Sequence, residues 1–230
     1  MKKILFIFLI WYSSISSSEE LFTLEVRKSE SASAATVIVL HGCSGPGFWT
    51  QDWAKRINSW GYNVVIPNQF IKRGYDNVCN RGHVISPWMR VNDIPLIIEW
   101  IKQQPWHREK IAIIGASHAG GTTAYVANDP KFTNLIAGVV LFYPGCRMTK
   151  DYSNPKVPAI VYLGAKDQWT PCLEGNWQNY EKHVYKEAGH AFDISLGNRV
   201  YMGHSLWYDS EAALHSQENT KKFFKRIFAE

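Results

Sequence analysis

The stretch Ile111-Ala-Ile-Ile-Gly-Ala-Ser-His-Ala-Gly-Gly-Thr122 constrains this chain more than any other. Four consecutive apolar residues read as a strand buried on both faces. The Gly, Ala and Ser that follow force a tight turn into a helical pattern over residues 121–128. A strand that turns straight into a helix through small residues belongs in a parallel sheet covered by helices. Similar apolar runs occupy residues 21–26, 36–40, 63–67, 136–142, 159–163 and 182–185. Between them, helices are expected near 50–60, 94–103 and 177–180, with a last one over 210–228. Asp209 or Ser210 would cap that last helix, and Ala213, Leu214, Phe223, Phe224 and Ile227 would face inward. With no repeat and no low-complexity linker, residues 19–230 are expected to form one α/β domain, long enough to bury a core of its own.

The glycine-rich turn admits two chemistries. A phosphate loop reads G-x-x-x-x-G-K-[ST], and Gly115–Thr122 departs from it where Gly121 replaces the lysine that reaches the terminal phosphates. The dinucleotide pattern G-x-G-x-x-G fails at Ser117. A nucleophile elbow needs a serine between small residues on a strand-to-helix turn, and Gly115, Ala119 and Gly120 supply them around Ser117. Serine is a weak nucleophile alone and requires a histidine base oriented by a carboxylate. Asp167 follows the run at 159–163 and His190 follows the run at 182–185, in the order serine, acid, histidine. A tetrahedral intermediate also needs backbone donors for its oxyanion. The N–H of His118, directly after the serine, and that of Cys43 in Leu40-His-Gly-Cys-Ser-Gly45 are the candidates. His41 reads as a structural loop histidine, and the direction of the His118 side chain is left open.

The N-terminus carries an address. Met1-Lys-Lys precedes an apolar core, Ile4 to Trp11, and then small residues to Ser18, the pattern of a signal peptide over 1–18. Its removal would take Lys2 and Lys3 and lower the formal charge from +5 to +3. That balance is too mild for nucleic acid, and no basic stripe with interleaved aromatics accompanies it. No cysteine near residue 18 could take a lipid, so no stable membrane insertion is expected after signal removal. Periplasmic or secreted localisation would make disulfides permissible among Cys43, Cys79, Cys146 and Cys172. No metal-finger spacing links the cysteines and histidines, so no metal site is expected.

Together these segments resemble the dienelactone hydrolase family of α/β-hydrolases. The resemblance rests on VIVLHGCSG, GYNVVIPNQFIKRG, IAIIGASHAGG, LGAKDQWTPC, AGHAFD and the C-terminal YDSEAALHSQENTKKFF, in that order. It implies a three-layer α/β-hydrolase fold with a mostly parallel sheet and a cofactor-free enzyme that cleaves small-molecule esters or lactones through an acyl-enzyme. Two positions differ from the enzymes that name the family: Ser117 stands for their cysteine nucleophile and Gly42 for a glutamate. A serine carboxylesterase is therefore the expectation, rather than an enzyme for dienelactone itself. In the sheet this fold implies, the strands before Cys43 and Cys79 are neighbours, as are those before Cys146 and Cys172. The pairings 43–79 and 146–172 are expected on that ground.

Trp49, Tyr143 and Trp169 are candidate pocket residues. Arg73, Arg81 and Arg147 are candidates to meet a substrate carboxylate, with Arg73 placed in the pocket set. A polysaccharide deacetylase or serine peptidase would use the same triad, and a binding module without turnover could share the scaffold.

Overall fold

A computed structural model describes residues 22–31, 34–108, 110–146 and 152–229. The expected signal at 1–18, Leu21 of the first expected strand and Arg147 lie outside them. Seven strands form the central sheet: β1 (Thr23–Arg27), β2 (Thr36–Leu40), β3 (Asn63–Asn68), β4 (Ile111–Ala116), β5 (Gly138–Phe142), β6 (Ala159–Gly164) and β7 (Glu181–Tyr185). Their spatial order is β1-β3-β2-β4-β5-β6-β7. Only β1 runs antiparallel, pairing Thr23 with Asn68 and Arg27 with Val64.

Alternation along each strand splits the apolar side chains between two layers. Ile38, Leu40, Ile113, Val139, Leu141 and Val161 pack on one face with Ile94, Ile97 and Ile101 of α3 (Ile94–Lys102) and Ala124 and Val126 of α4 (His118–Asn128). Val37, Val39, Ile114, Val140 and Ile160 pack on the other. There they meet Trp53 and Ile57 of α1 (Phe48–Ser59) and Phe223, Phe224 and Ile227 of α5 (Ser210–Ala229). The result is a helix–sheet–helix sandwich with a mostly parallel sheet. A short helix α2 (Pro87–Val91) opens with Ser86 as its cap and Pro87 at its first position, where a missing N–H costs nothing. A hairpin of β8 (Arg199–Tyr201) and β9 (His204–Leu206) follows the main sheet.

Several local expectations are corrected. Residues 177–180 form a turn, because Trp177 is buried by stacking on Tyr152 and Tyr180 by meeting Trp177 edge to face, rather than along a helical face. Leu214 is 57% exposed on α5, its position falling outside the stripe set by Ala213, Phe223 and Ile227. Asp209 caps α5, its carboxylate accepting from the Ala212 N–H at 3.0 Å. Helix α4 starts at His118, so the turn is tighter than a helix from residue 121 would make it. Among the described residues, no helix is long and apolar enough to cross a membrane.

Candidate active site

Parallel pairing of β2 with β4, β4 with β5, β5 with β6 and β6 with β7 brings the C-terminal ends of these strands to one edge. The segments leaving that edge carry His41-Gly-Cys43, Ser117, Tyr143, Asp167 and His190. Ser117 adopts φ 55° and ψ −117°, a strained conformation for a residue with a side chain. Its N–H donates to Phe142 O at 3.0 Å, and its carbonyl accepts from Gly121 and Gly145 at 3.1 and 2.8 Å. The small neighbours are required sterically. A Cβ on Gly115 would stand 2.4 Å from Thr123 Oγ1, and one on Gly120 would stand 2.7 Å from Pro144 Cα.

The Oγ of Ser117 lies 3.0 Å from His190 Nε2, and His190 Nδ1 lies 2.8 Å from Asp167 Oδ2. Asp167 and His190 are 7% and 4% exposed, so water competes little for these bonds. Asp167 folds its own loop around itself: Oδ1 accepts the N–H groups of Trp169 and Thr170, both at 2.9 Å. Burial pushes its carboxyl up, but the His190 hydrogen bond and charge, with the Thr170 donors, outweigh it and hold the pKa below the ordinary value. The Thr170 hydroxyl lies 3.0 Å from Asp167 Oδ2, 3.1 Å from His190 Nδ1 and 3.1 Å from Tyr143 O. Its one proton serves one acceptor at a time.

These groups open into a cleft of about 430 Å³. Gly42, Cys43, Phe48, Trp49, Tyr143 and Trp169 are among its walls, with Tyr201 and Leu206 from the hairpin. Among the described residues, Arg199 is the single Lys or Arg in the lining. The hairpin is fastened on both sides: Tyr201 OH accepts from Asn77 Nδ2 at 2.9 Å, and His204 stacks on Trp169 at 4.7 Å. Disulfides join Cys43 to Cys79 and Cys146 to Cys172, with Cα atoms 4.7 and 5.7 Å apart. The first tethers the loop after β2, and the second ties the chain after β5 to the Asp167 loop.

Trp49, Tyr143 and Trp169 thus line the cleft, whereas Arg73 does not. Its guanidinium pairs with Asp93 through bonds of 2.7 and 3.0 Å, because Asp93 is a buried carboxylate that needs a cation. Arg81 is also absent from the lining; it stacks over Tyr75 at 5.6 Å. Among the described residues, the amides of Cys43 and His118 donate to no protein acceptor. His41 is fully buried with Nδ1 2.8 Å from Gly42 O and Nε2 accepting from Gln69 N–H, a loop-holding histidine. His118 turns its ring toward Arg90 and is not among the cleft residues. Thr170 was signalled only weakly, by the Asp-x-x-Thr spacing that favours a side-chain-capped turn. The hairpin and Arg199 carried no sequence signal beyond short polar–apolar alternation. Among the described residues, no three His, Cys, Asp or Glu groups cluster as metal ligands.

Residues 23–228 match the model of the dienelactone hydrolase family. No curated protein gives a sequence match. Among solved structures, similarity extends to a protein assigned as a dienelactone hydrolase from Klebsiella pneumoniae subsp. pneumoniae MGH 78578. It has 18% identity and a TM-score of 0.69, covering 89% of this chain and 92% of that one. A dienelactone hydrolase-like promiscuous phosphotriesterase from metagenomic libraries has 17% identity and a TM-score of 0.66, covering 89% and 98%. Est1E from Butyrivibrio proteoclasticus, solved with ferulic acid, has 11% identity and a TM-score of 0.65, covering 91% and 96%. At these identities the structures share the fold with this chain.

Proposed function

The chain belongs to the dienelactone hydrolase family, and from that premise we propose that it is a serine hydrolase of carboxylic esters or lactones, with Ser117, His190 and Asp167 as its triad. The observation that carries the assignment is the unbroken hydrogen-bonded series from Ser117 Oγ through His190 to Asp167, set on a strained turn. In the acylation step the Ser117 oxygen adds to the ester carbonyl while its proton passes to His190 Nε2. The bond to the alcohol then breaks, and His190 returns the proton to the departing oxygen. Water adds to the acyl-enzyme with the same proton transfers, releasing the acid and restoring the serine. Asp167 holds the Nδ1–H and stabilises the imidazolium. The Cys43 and His118 amides receive the oxyanion, where preorganised donors act most strongly in a partly desolvated cleft.

The largely apolar and aromatic walls favour a small ester with an apolar acyl or alcohol group. A binding module without turnover is disfavoured, because holding a strained serine against a buried histidine and carboxylate has a cost that binding alone does not offset. We further propose one domain over residues 19–230, exported after loss of 1–18. The two disulfides, which persist in oxidising compartments, support it. The purified protein is expected to hydrolyse short p-nitrophenyl esters and to react with a fluorophosphonate probe. Ser117→Ala should abolish both while keeping its unfolding temperature. Undiminished turnover in that variant would overturn the mechanism.

A further inference from the structure

Three residues beyond His190, the carboxylate of Asp193 gathers three donors from two separate parts of the fold. Its Oδ2 accepts Nε1–H from both Trp49 and Trp53 of α1, at 2.8 and 2.7 Å. Its Oδ1 accepts the Tyr143 hydroxyl at 2.7 Å. All three donors are neutral, and among the described residues no cation forms a salt bridge with it. The carboxylate is therefore held by direction rather than by charge pairing: two indoles converge on one oxygen and a phenol meets the other.

What these donors touch gives the arrangement its meaning. The Tyr143 ring packs against the His190 ring, centroids 4.7 Å apart. Tyr143 also takes φ 32°, a conformation side chains rarely adopt, and its backbone is fixed by a 2.8 Å bond from its N–H to Tyr162 O. Its carbonyl accepts from Thr170, the residue that meets both Asp167 and His190. Trp49 is a cleft wall on the helix that begins just after the Cys43 loop. Asp193 thus joins the histidine loop, the surface beneath the imidazole and the helix leading out of the oxyanion segment.

We propose that Asp193 is a positioning residue for the hydrolysis: its three hydrogen bonds fix the His190 loop against Tyr143 and α1, and so set the approach of His190 to Ser117. This role rests on the Ser117–His190–Asp167 assignment and acts only through it. Burial raises the carboxyl's pKa, and the hydrogen bonds from Trp53, Tyr143 and Trp49 oppose that rise.

The test compares Asp193→Asn and Asp193→Leu with the parent on short p-nitrophenyl esters, together with the rate of fluorophosphonate labelling. An asparagine oxygen can take both indole N–H groups and its amide can donate to the Tyr143 oxygen, so Asp193→Asn should keep kcat within about threefold. Asp193→Leu fills similar volume and makes none of the bonds. It should lose kcat and labelling rate by at least about thirtyfold, with KM within about threefold. If the leucine variant does not fold, Trp53→Phe decides: it removes one donor outside the cleft and should lower kcat about three- to tenfold at unchanged KM.

Parental kcat in folded Asp193→Leu, or a change confined to KM, overturns the assignment. So does parental kcat in Trp53→Phe where the leucine variant fails to fold. A parent that hydrolyses no ester overturns the triad and Asp193 together. An active parent with a dead Ser117→Ala and an indifferent Asp193→Leu overturns Asp193 alone.

Discussion

Nη1 of Arg90 lies 3.0 Å from Nδ1 of His118, the residue that follows Ser117. The imidazole accepts this bond and is therefore neutral, its pKa pushed down to about 3 by burial and then by the Arg90 charge. Arg90 is fully buried, and its Nε donates to Gln69 Oε1 at 2.8 Å. The Gln69 N–H donates in turn to His41 Nε2 at 3.2 Å, two residues before Cys43. A continuous polar path thus runs behind the cleft from the elbow to the loop after β2.

Arg90→Met should therefore destabilise the protein by about 3 kcal/mol, because Gln69 and His118 lose a buried partner together. Urea denaturation of parent and variant measures the difference. A change below about 0.5 kcal/mol would mean that the path contributes nothing to stability.

Asp167 makes an acid-dependent prediction. A carboxyl whose folded pKa is depressed contributes stability that is fully present above its unfolded pKa and is lost as pH falls through the folded value. The ordinary value is 3.8 and the folded one lies below it. The stability deficit of Asp167→Asn relative to the parent should hence shrink as pH drops below about 4. Paired melts at acidic and neutral pH check the sign, and at neutral pH kcat of the variant should fall about 10³- to 10⁴-fold.

The disulfides close segments with sequence separations of 36 and 26 residues. In the chain-entropy account, removing either pair by Cys→Ala substitutions costs about 3.5–4 kcal/mol. The Cys43/Cys79 variant should lose kcat as well, because Cys43 belongs to the cleft wall. Steady-state kinetics on the refolded variants separates the stability cost from this catalytic one.

Trp169 lies between His190 and His204, with ring centroids at 4.9 and 4.7 Å. Trp169→Leu should raise KM for esters with bulky acyl groups about tenfold, a loss of about 1.4 kcal/mol of binding. Acetyl esters, too short to need that wall, should keep their KM. An ester panel of increasing acyl size reads the difference directly.

Much of the sheet was legible because β2, β4, β5 and β6 are unbroken apolar runs, a signal that survives without neighbours. The Ser117, Asp167 and His190 positions were legible because each lies shortly after an expected strand and their order is restrictive. Arg73 misled, since nothing local distinguishes an arginine facing a cleft from one paired with Asp93 across 20 residues. Asp193, Arg90 and the β8–β9 hairpin escaped for the same reason. Their partners lie far away in sequence, Trp49 being 144 residues from Asp193. A helix is expected over residues 177–180 from the sequence, but the long-range stacking of Trp177 on Tyr152 prevails over the local pattern.

The strand order places β4 at the centre of the sheet and β7 at its far edge, and His190 lies 73 positions after Ser117 in the chain. During synthesis the proposed nucleophile is thus made long before its proposed base. A nascent chain carries an unarmed hydroxyl until its last third has been added and docked. Hydrolytic capacity in such a molecule appears in one step, as a property of the completed sheet.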